Sequence, residues 1–472
     1  MRREKYQIFT PEKIVSELLD YVEYKKNLYG KKVLENSCGE GNILLEVIKR
    51  YIEESIENGL EKEKIKLGLE KDIYGIEYYR STYEICLKNL DNLAKKYDIT
   101  DVKWNLFCED SLKIQLNKKF DFIIGNPPYL TYSDLKKDER KYLKEKYKSC
   151  NQGKFVYCYA FIEDSLEKLE DNGKLGYLIP NSIFKTDFGK NLREIMIKDL
   201  QKIIDYSTKQ LFSALISSAI IVCKKNYKEN KIEYSNVVKN KKIKLCKSDL
   251  KEKWIFEKIE NVETKKRFGD YFKVSNSIAT LLNEAYILKE FQVTDEGILK
   301  NGLLLEKEVI RKAFSPRGIS LKREELIIFP YKYDEENKLQ RYNEEEFEKK
   351  YPNLVKYLKS HNEKLLKRKA DLNSKWFEYG RSQALAHLNC EKLLISTVVT
   401  NKINVHILLK DEIPYSGLYV VALKEYSLNK AKKLLESKEF QEYVDKIGIN
   451  INGGSRRITS KDIENFYFKN ES

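Results

Sequence analysis

The chain has 472 residues, which is long enough for two or three domains with substantial hydrophobic cores. It carries 88 Lys and Arg against 73 Asp and Glu, a formal net charge of +15, which favours a polyanionic partner. Eight cysteines form no CxxC pair and histidines number three, so we expect neither a disulfide framework nor a metal site. No apolar run reaches membrane-spanning length and the N-terminus lacks a signal-like apolar region, so we expect a cytoplasmic protein.

Strand and helix patterns alternate through the first 225 residues. Strands are predicted at 32–35, 73–77, 102–108, 120–125, 174–180, 203–207 and 218–224, and helices at 11–26, 42–57, 79–96, 155–171 and 188–199. This alternation predicts a Rossmann-like α/β sheet of seven mostly parallel strands. No helix separates the last two strands, so we expect them to form an antiparallel hairpin at one edge of the sheet.

Residues 226–255 are highly charged and show no clear periodicity, so we place the domain boundary at about 226–245. A catalytic domain is therefore expected at 1–235 and a second domain, of mixed α+β structure with a helical stretch near 344–370, at 245–472. The positive charge is concentrated in the second half: residues 1–230 carry 41 Lys and Arg against 37 Asp and Glu, which leaves 47 against 36 for the remainder. A general Lys bias contributes to the total but does not explain this asymmetry.

The tetrapeptide at 126–129 directly follows the predicted strand 120–125. An exocyclic amine such as N6 of adenine is a poor nucleophile because its lone pair is shared with the ring. The side-chain oxygen of Asn126 and the carbonyl of Pro127 can each accept one amine hydrogen, which localises the lone pair on nitrogen. Pro127 and Pro128 stiffen the turn, and Tyr129 offers a flat face for stacking on a base. The alternative is a structural turn with Tyr129 in the core.

An acid-flanked glycine turn follows the first predicted strand. Gly39 and Gly41 permit a tight turn at the junction between strand and helix. A dinucleotide fingerprint needs a third glycine at position 44, which is leucine, and the acids Glu35 and Glu40 would repel a pyrophosphate. The turn better suits a ligand with an ammonium and a sulfonium, such as S-adenosyl-L-methionine (SAM). A plain turn between strand and helix is the alternative.

Three further residues are candidates for the same pocket. Glu77 ends the second predicted strand, where a carboxylate can accept both ribose hydroxyls. Asp110 follows the third strand and can accept from the adenine amine of the cofactor, or it can cap a helix. Thr10 precedes Pro11 as a natural N-cap, which is compatible with Thr10 also lining the pocket.

Together these motifs resemble the SAM-dependent DNA amino-methyltransferases, in the gamma order of the adenine-N6 enzymes, over about residues 5–225. The resemblance implies that cofactor-binding residues are Thr10, Glu35, Ser37, Cys38, Gly39, Gly41, Glu77, Asp110 and Asn126, and that catalytic residues are Asn126, Pro127, Pro128 and Tyr129. Phe161 and residues 173–180 resemble two further family motifs. Residues 211–213 resemble the segment whose aromatic residue, here Phe212, packs on a flipped base, although a core aromatic is the simpler interpretation of Phe212 alone. Asn36 stands where proline is common.

A weaker resemblance, to the C-terminal recognition domain of TaqI-like methyltransferases, continues beyond residue 250. Its landmarks are residues 275–280, 327–331, 351–354, 376–383 and 453–458. Arg381, Arg456 and Arg457 lie beside glycine turns, from which they can reach phosphates or guanine edges. The Lys-rich segment 135–148 is expected to be either a solvated helix or a flap facing DNA.

The resemblance implies a site-specific DNA adenine-N6 methyltransferase that acts as a monomer on double-stranded DNA and flips out its target adenine. A separately encoded restriction endonuclease is an expected partner. The alternatives are a methyltransferase of RNA or of protein glutamine, and a DNA-binding module with a vestigial catalytic fold. A fused nuclease is disfavoured because the cofactor motifs begin within the first dozen residues and no PD-(D/E)xK cluster follows.

Overall fold

The computed structural model describes residues 10–207, 217–257, 265–423, 426–451 and 454–469. The chain divides into two compact units, the first Met1–Lys258 with Ile449–Gly454 and the second Ile259–Gly448 with Ser455–Ser472. The first unit thus continues past the segment 226–245. The division of labour between a catalytic domain at 1–235 and a DNA-recognition domain at 245–472 stays a prediction.

Nine strands of the first unit form one sheet. They are β1 Val33–Glu35, β2 Ile73–Glu77, β3 Asn105–Cys108, β4 Phe120–Gly125, β5 Leu169–Pro180, β6 Leu200–Asp205, β7 Ser218–Lys224, β8 Lys231–Asn236 and β9 Lys241–Cys246. The helices of this unit are α1 Glu12–Tyr21, α2 Asn42–Glu57, α3 Lys62–Asp72, α4 Arg80–Lys95, α5 Lys137–Lys146, α6 Cys158–Lys168 and α7 Lys190–Met196. The strand order is β3-β2-β1-β4-β5-β7-β6-β8-β9. The predicted Rossmann-like α/β architecture is confirmed.

The sheet differs from the sequence-based expectation at one side. Strands β1 to β5 pair in parallel, and β7 is antiparallel to β5 and β6, as the predicted hairpin requires. However, β8 pairs in parallel with β6 and β9 pairs with β8, so the hairpin lies inside the sheet and not at its edge. Both added strands are short. β8 alternates exposed and buried residues and β9 carries three lysines, and the charged segment around them hid this pattern.

Both faces of the sheet are covered. Successive residues of a strand point to opposite faces. Ile73 and Ile124 pack into a cluster with residues of α1, α2 and α4, whereas Tyr74 and Ile123 pack into a second cluster with residues of α6 and α7. Strands buried on both faces read as continuous apolar runs, which explains why the central strands could be predicted from sequence.

The strand order reverses at β1. The chain runs from β1 outward to β2 and β3 on one side, and then returns to β4 on the other. In open α/β sheets such a reversal leaves a crevice beyond the carboxyl ends of the two central strands. Glu35 ends β1, Glu77 ends β2 and Gly125 ends β4, so the predicted functional residues lie around this crevice.

The second unit is a mixed α+β structure of short elements, as expected. Its strands are β10 Lys266–Arg267, β11 Phe272–Asn276, β12 Ile287–Leu288, β13 Gln292–Val293, β14 Ile298–Lys300, β15 Leu303–Leu305, β16 Ile310–Phe314, β17 Leu326–Ile328, β18 Tyr331–Tyr333, β19 Leu339–Arg341, β20 Lys392–Ile395, β21 Val398–Val399, β22 Val405–Leu408, β23 Ile413–Pro414, β24 Leu418–Ala422, β26 Arg456–Arg457 and β27 Tyr467–Phe468, while β25 Ile449–Asn450 belongs to the first unit. Its helices are α8 Asn283–Tyr286, α9 Pro316–Ser320, α10 Glu344–Lys350, α11 Pro352–Lys359, α12 Asn362–Leu366, α13 Leu428–Leu435, α14 Lys438–Ile447 and α15 Ser460–Glu464.

Aromatic packing and one arginine organise the second unit. Phe347 stacks on Phe377 with ring centroids 4.0 Å apart. Arg368 donates to the backbone carbonyls of Thr280, Trp376 and Glu378, and so fastens the segment after α12 to two others. The predicted helical stretch near 344–370 is three helices, because Pro352 has no N–H to continue α10 and begins α11 instead. Across the described parts of both units, no helix is long and apolar enough to cross a membrane.

If β8 is part of the first unit's core, truncating its buried face should destabilise that unit. Ile232 is 1% exposed, whereas its neighbour Glu233 is exposed. We expect Ile232→Ala to lower the free energy of unfolding by about 2–5 kcal/mol, and the matched control Glu233→Ala to change it by less than about 0.5 kcal/mol. Urea denaturation followed by circular dichroism measures both. Equal effects of the two variants would show that this segment is a linker.

Candidate cofactor and catalytic site

One pocket at the carboxyl edge of the sheet collects most of the predicted site. The predicted residues that line it are Thr10, Glu35, Ser37, Cys38, Gly39, Glu77, Asp110, Asn126, Pro127, Pro128 and Tyr129. They come from four connections, those after β1, β2, β3 and β4, and from the start of α1. The topology therefore brings together residues that are more than 110 positions apart in the sequence.

The glycine turn wraps one wall of the pocket. Gly39 and Gly41 have φ values of +55° and +93°, in the left-handed region that favours glycine. Gly41 does not line the pocket. It caps the N-terminus of α2, and a Cβ atom there would lie 2.9 Å from Sγ of Cys86. Its role is thus to let the turn approach α4, while Gly39 presents backbone to the cavity.

Glu77 braces the glycine turn. Its Oε2 accepts a hydrogen bond from the N–H of Gly39 at 3.0 Å, and its Oε1 accepts one from the N–H of Tyr79 at 2.8 Å. Burial raises the pKa of Glu77, and these backbone donors partly oppose the shift. The carboxylate is held in place before a ligand arrives, with its remaining acceptor capacity available to hydroxyl donors.

Glu35 lies deeper in the pocket. It is 3% exposed, and its Oε2 accepts from the N–H of Leu44 in the first turn of α2 at 3.1 Å. Burial raises the pKa of Glu35 well above its usual value, and the charge of Glu77 adds to the shift. Cys38 is also buried, and its pKa is raised by a hydrogen bond with Cys86 and by burial, so it remains a neutral thiol.

Asp110 closes the opposite wall. Its Oδ1 accepts from the N–H of Leu112 at 3.1 Å, and Lys113 lies 3.4 Å from its Oδ2. The first contact closes a turn at 111–113, and since no helix begins there, the helix cap that the sequence offered as the alternative is not formed. Asp110 lines the pocket, as the cofactor interpretation predicts.

The 126–129 turn forms the mouth of the pocket. Nδ2 of Asn126 donates to Oγ1 of Thr10 at 3.2 Å, and the Ser37 hydroxyl donates to the Asn126 carbonyl at 3.3 Å. These bonds connect the turn to α1 and to the glycine turn. Tyr129 is 8% exposed, and its hydroxyl donates to the Leu178 carbonyl at 3.0 Å, which fixes the plane of its ring. Tyr129 therefore belongs to the hydrophobic core and to the pocket wall together.

Several lining residues were missed by the sequence reasoning. They are Asn42, Ile43, Tyr78, Tyr79, Glu109, Ser111, Leu130 and Tyr157. Tyr78 and Tyr79 follow Glu77 directly, and this position after a strand end was the signal that could have identified them. Tyr157 packs edge-on against Phe161 at 5.3 Å, and no local pattern marks it.

The remaining predicted residues lie elsewhere. Phe212 falls outside the described residues. In the second unit, Arg381 donates to Asp371 at 2.8 Å, and Arg456 and Arg457 form β26, which pairs with β21. Arg457 is exposed.

The chemistry of the lining fits a cationic ligand. Five carboxylic acids face the pocket, namely Glu35, Glu40, Glu77, Glu109 and Asp110, and none of the described lining residues is Lys or Arg. A phosphate-bearing ligand would be repelled there, whereas the ammonium and sulfonium of SAM would be attracted. No group of three or more potential metal ligands was found among the described residues.

The protonation of Glu35 predicts a pH dependence of stability. Above the ordinary Glu pKa of about 4.3, native Glu35 retains a proton that the unfolded chain has lost. The free energy of unfolding must therefore fall as pH rises, by up to about 1.4 kcal/mol per pH unit, until pH passes the raised native pKa. We expect wild-type protein to lose more stability between pH 5 and pH 7 than Glu35→Gln does, by urea denaturation. An identical pH slope in both proteins would contradict this.

Known proteins provide an independent comparison. Residues 24–212 match the family described as "Eco57I restriction-modification methylase". The chain is 26% identical to the type II restriction enzyme and methyltransferase RM.Eco57I of Escherichia coli, over 84% of this chain and 49% of that protein. It is 27% identical to the type II methyltransferase M.BstVI of Geobacillus stearothermophilus, over 50% and 45%. The chain spans about half the length of these curated relatives.

Solved structures agree at the level of fold. The type IIL restriction-modification enzyme MmeI, solved in complex with DNA, superposes with a TM-score of 0.61 at 14% identity, over 98% of this chain and 64% of that one. A nuclease-deletion mutant of the type ISP enzyme LlaGI gives a TM-score of 0.58 at 13% identity, over 97% and 46%. The match of residues 24–212 to the Eco57I restriction-modification methylase family agrees with the sequence motifs, which indicated S-adenosyl-L-methionine as the cofactor.

Proposed function

We propose that the protein is a site-specific DNA methyltransferase that transfers the methyl group of SAM to N6 of a flipped-out adenine in double-stranded DNA. The observation that carries this proposal is the convergence of the 126–129 turn and the acid-lined glycine turn on one pocket. Acceptors for an amine thus lie beside a cavity whose lining suits a sulfonium.

The turn would activate the target amine by accepting its hydrogens. The bond from Nδ2 to Thr10 orients the Asn126 amide, so that its oxygen serves as an acceptor. The Pro127 carbonyl provides the second acceptor from a backbone that the two prolines stiffen. Withdrawing both hydrogens from the ring plane localises the lone pair on nitrogen. SAM, when bound, supplies an electrophilic methyl group on a good leaving group, so positioning accounts for most of the rate.

Tyr129 would select a planar base. Its hydroxyl is bound to the Leu178 carbonyl, and burial raises its pKa well above the usual value, so the ring is neutral and held in one orientation. A fixed ring stacks on a base with little loss of entropy. Phe212 would support the opposite side of the flipped adenine.

Charge supports DNA as the substrate. Of the formal net charge of +15, residues 231–472 carry +11. Arg381, Arg456 and Arg457 are the residues of the second unit that we propose for phosphate or base contacts. The relatives are named restriction enzymes and methyltransferases of type II systems. A separately encoded endonuclease is the partner we propose.

The first test is the variant Asn126→Ala. Removing one of two acceptors should reduce the turnover number by at least about 100-fold, with the Kd for SAM changed less than about threefold. Tritiated SAM and a DNA library measure transfer, and mass spectrometry of digested nucleosides distinguishes N6-methyladenine from N4-methylcytosine.

A matched control is Asn105→Ala, since the side-chain amide of Asn105 also donates a hydrogen bond, to the backbone carbonyl of Glu70, but Asn105 lies outside the pocket. Its turnover should remain that of the wild type. Full activity of Asn126→Ala would refute the mechanism. Transfer to RNA or peptide in place of DNA would refute the substrate and favour the alternative class.

The second test concerns the cofactor contacts. Glu77→Gln and Asp110→Asn keep the side-chain shape but remove the charge, and each should raise the Kd for SAM by about 10-fold or more, as expected for charge-assisted hydrogen bonds. Isothermal calorimetry measures the Kd without DNA. Glu84→Gln, an exposed acid on α4 paired with Arg80, is the control and should leave the Kd unchanged. Unchanged Kd values in both pocket variants would exclude these ligand assignments.

A further inference from the structure

Three buried polar side chains form a closed ring of hydrogen bonds next to the pocket. Nδ2 of Asn36 donates to Oγ of Ser165 at 3.1 Å, Oγ of Ser165 and the hydroxyl of Tyr177 are 2.7 Å apart, and the Tyr177 hydroxyl donates to Oδ1 of Asn36 at 2.5 Å. Their exposed fractions are 1%, 0% and 0%. We call Asn36, Ser165 and Tyr177 the polar triad.

Each member of the polar triad can donate one bond and accept one around the ring. Tyr177 donates to Asn36 and Asn36 donates to Ser165, so the Ser165 proton is directed at Tyr177. The three hydrogen bonds therefore all point in the same direction around the ring. A closed, satisfied ring in a dry interior is stiff, because losing one bond leaves buried polar groups without partners. Burial raises the pKa of Tyr177, so its phenol remains a neutral donor.

The polar triad joins three segments that meet at the reaction site. Asn36 lies in the glycine turn after β1 and lines the pocket, Ser165 lies on α6, and Tyr177 lies on β5. The residue after Asn36, Ser37, donates its hydroxyl to the Asn126 carbonyl at 3.3 Å. The glycine turn is therefore bonded to the other two triad residues through Asn36 and to the 126–129 turn through Ser37.

Tyr177 also contacts the strand that carries the 126–129 turn. A Cβ atom on Gly125 would lie 3.2 Å from the Tyr177 ring and 3.8 Å from Oδ1 of Asn36. A side chain at position 125 would therefore require the Tyr177 ring to shift by a few tenths of an ångström. Tyr177 therefore packs close to the end of β4 while its hydroxyl bonds to Asn36 of the glycine turn.

We propose that Asn36, Ser165 and Tyr177 are positioning residues that set the distance between the methyl donor and the target amine. This inference rests on the proposed function. On the cofactor side, the hydrogen bond from the N–H of Gly39 to Glu77 anchors the glycine turn to β2 and does not pass through the triad. Loosening it should therefore impair the transfer step far more than cofactor binding. A displacement near 1 Å between reacting groups is enough to cost about 100-fold in rate.

The test is Tyr177→Phe, which keeps the ring and removes only the hydroxyl. We expect the turnover number on DNA to fall by about 10- to 100-fold, while the Kd for SAM from calorimetry and the KM for SAM change less than about threefold. Ser165→Ala should behave in the same way. The double variant Asn36→Ala/Tyr177→Phe should lose no more turnover than the more impaired of its two single variants, because the triad acts as a unit.

The matched control is Tyr51→Phe. Tyr51 is equally buried, and its hydroxyl donates to Asp72 at 2.7 Å, but it lies outside the pocket. We expect it to lower the urea midpoint as much as Tyr177→Phe does without changing turnover. Unchanged turnover in both Tyr177→Phe and Ser165→Ala, or an equal loss in Tyr51→Phe, would overturn the proposal and leave the triad a purely structural device.

The failure of the two proposals can be told apart. If wild-type protein binds SAM but methylates neither DNA nor another acceptor, the proposed function is wrong. If wild-type protein methylates DNA and the triad variants match its turnover, only the positioning role is wrong. A rise in Kd for SAM that accounts for the whole loss of activity would also overturn the positioning role, since it would assign the triad to binding.

Discussion

The reversal of strand order at β1 is the constraint on which the rest of the site depends. Because β2 and β4 flank β1 and all three strands are parallel, their carboxyl ends meet at one edge, and the connections that leave them must diverge. The divergence of these connections leaves a crevice at the carboxyl edge of the sheet. Glu35, Glu77 and Asn126 share a pocket for this reason, although 91 positions of sequence separate the first from the last.

The pocket is costly to maintain without a ligand. Glu35 and Glu77 are both buried near each other, and burial raises the pKa of each. The backbone N–H groups of Leu44, Gly39 and Tyr79 offset part of that cost. A cationic ligand would offset more of it, since opposite charge favours the ionised acids. The acids thus make the apo pocket less stable at neutral pH and more receptive to a sulfonium, and both effects have one electrostatic origin.

The sequence predicted the strands and motifs that are specified by residues adjacent in the chain. Strands that are buried on both faces read as apolar runs, so β2, β4 and β7 were located to the residue. The motifs at strand ends were found because the residue types of Asn126 and Glu77 alone indicate side chains that accept hydrogen bonds. The strands β8 and β9 were missed because they are short and stand in a charged segment, and the three lysines of the edge strand β9 resemble a linker. Gly41 was assigned to the cofactor because sequence shows the glycine but not the Cys86 thiol that it accommodates.

The polar triad and Tyr157 were beyond prediction for another reason. Asn36, Ser165 and Tyr177 are separated by up to 141 positions, and each alone resembles an ordinary polar residue. They form a ring of hydrogen bonds only because α6 packs on β5 next to the turn that follows β1. Long-range polar contacts carry no periodic signal, so their detection requires coordinates.

The charge of the two halves has a consequence for how a nucleic acid would use this pocket. Five acids and no described basic side chain line the cavity, so a phosphate group would be repelled from it. The basic excess that would hold a polyanion lies in residues 231–472. An acidic pocket therefore admits a neutral base and a cationic cofactor while it rejects the backbone that carries the base. For a duplex substrate, rotation of the base out of the helix satisfies both requirements, since it delivers the ring to the pocket and leaves the phosphates outside. Under the proposed function, electrostatics thus favours an extruded base as the form of the substrate.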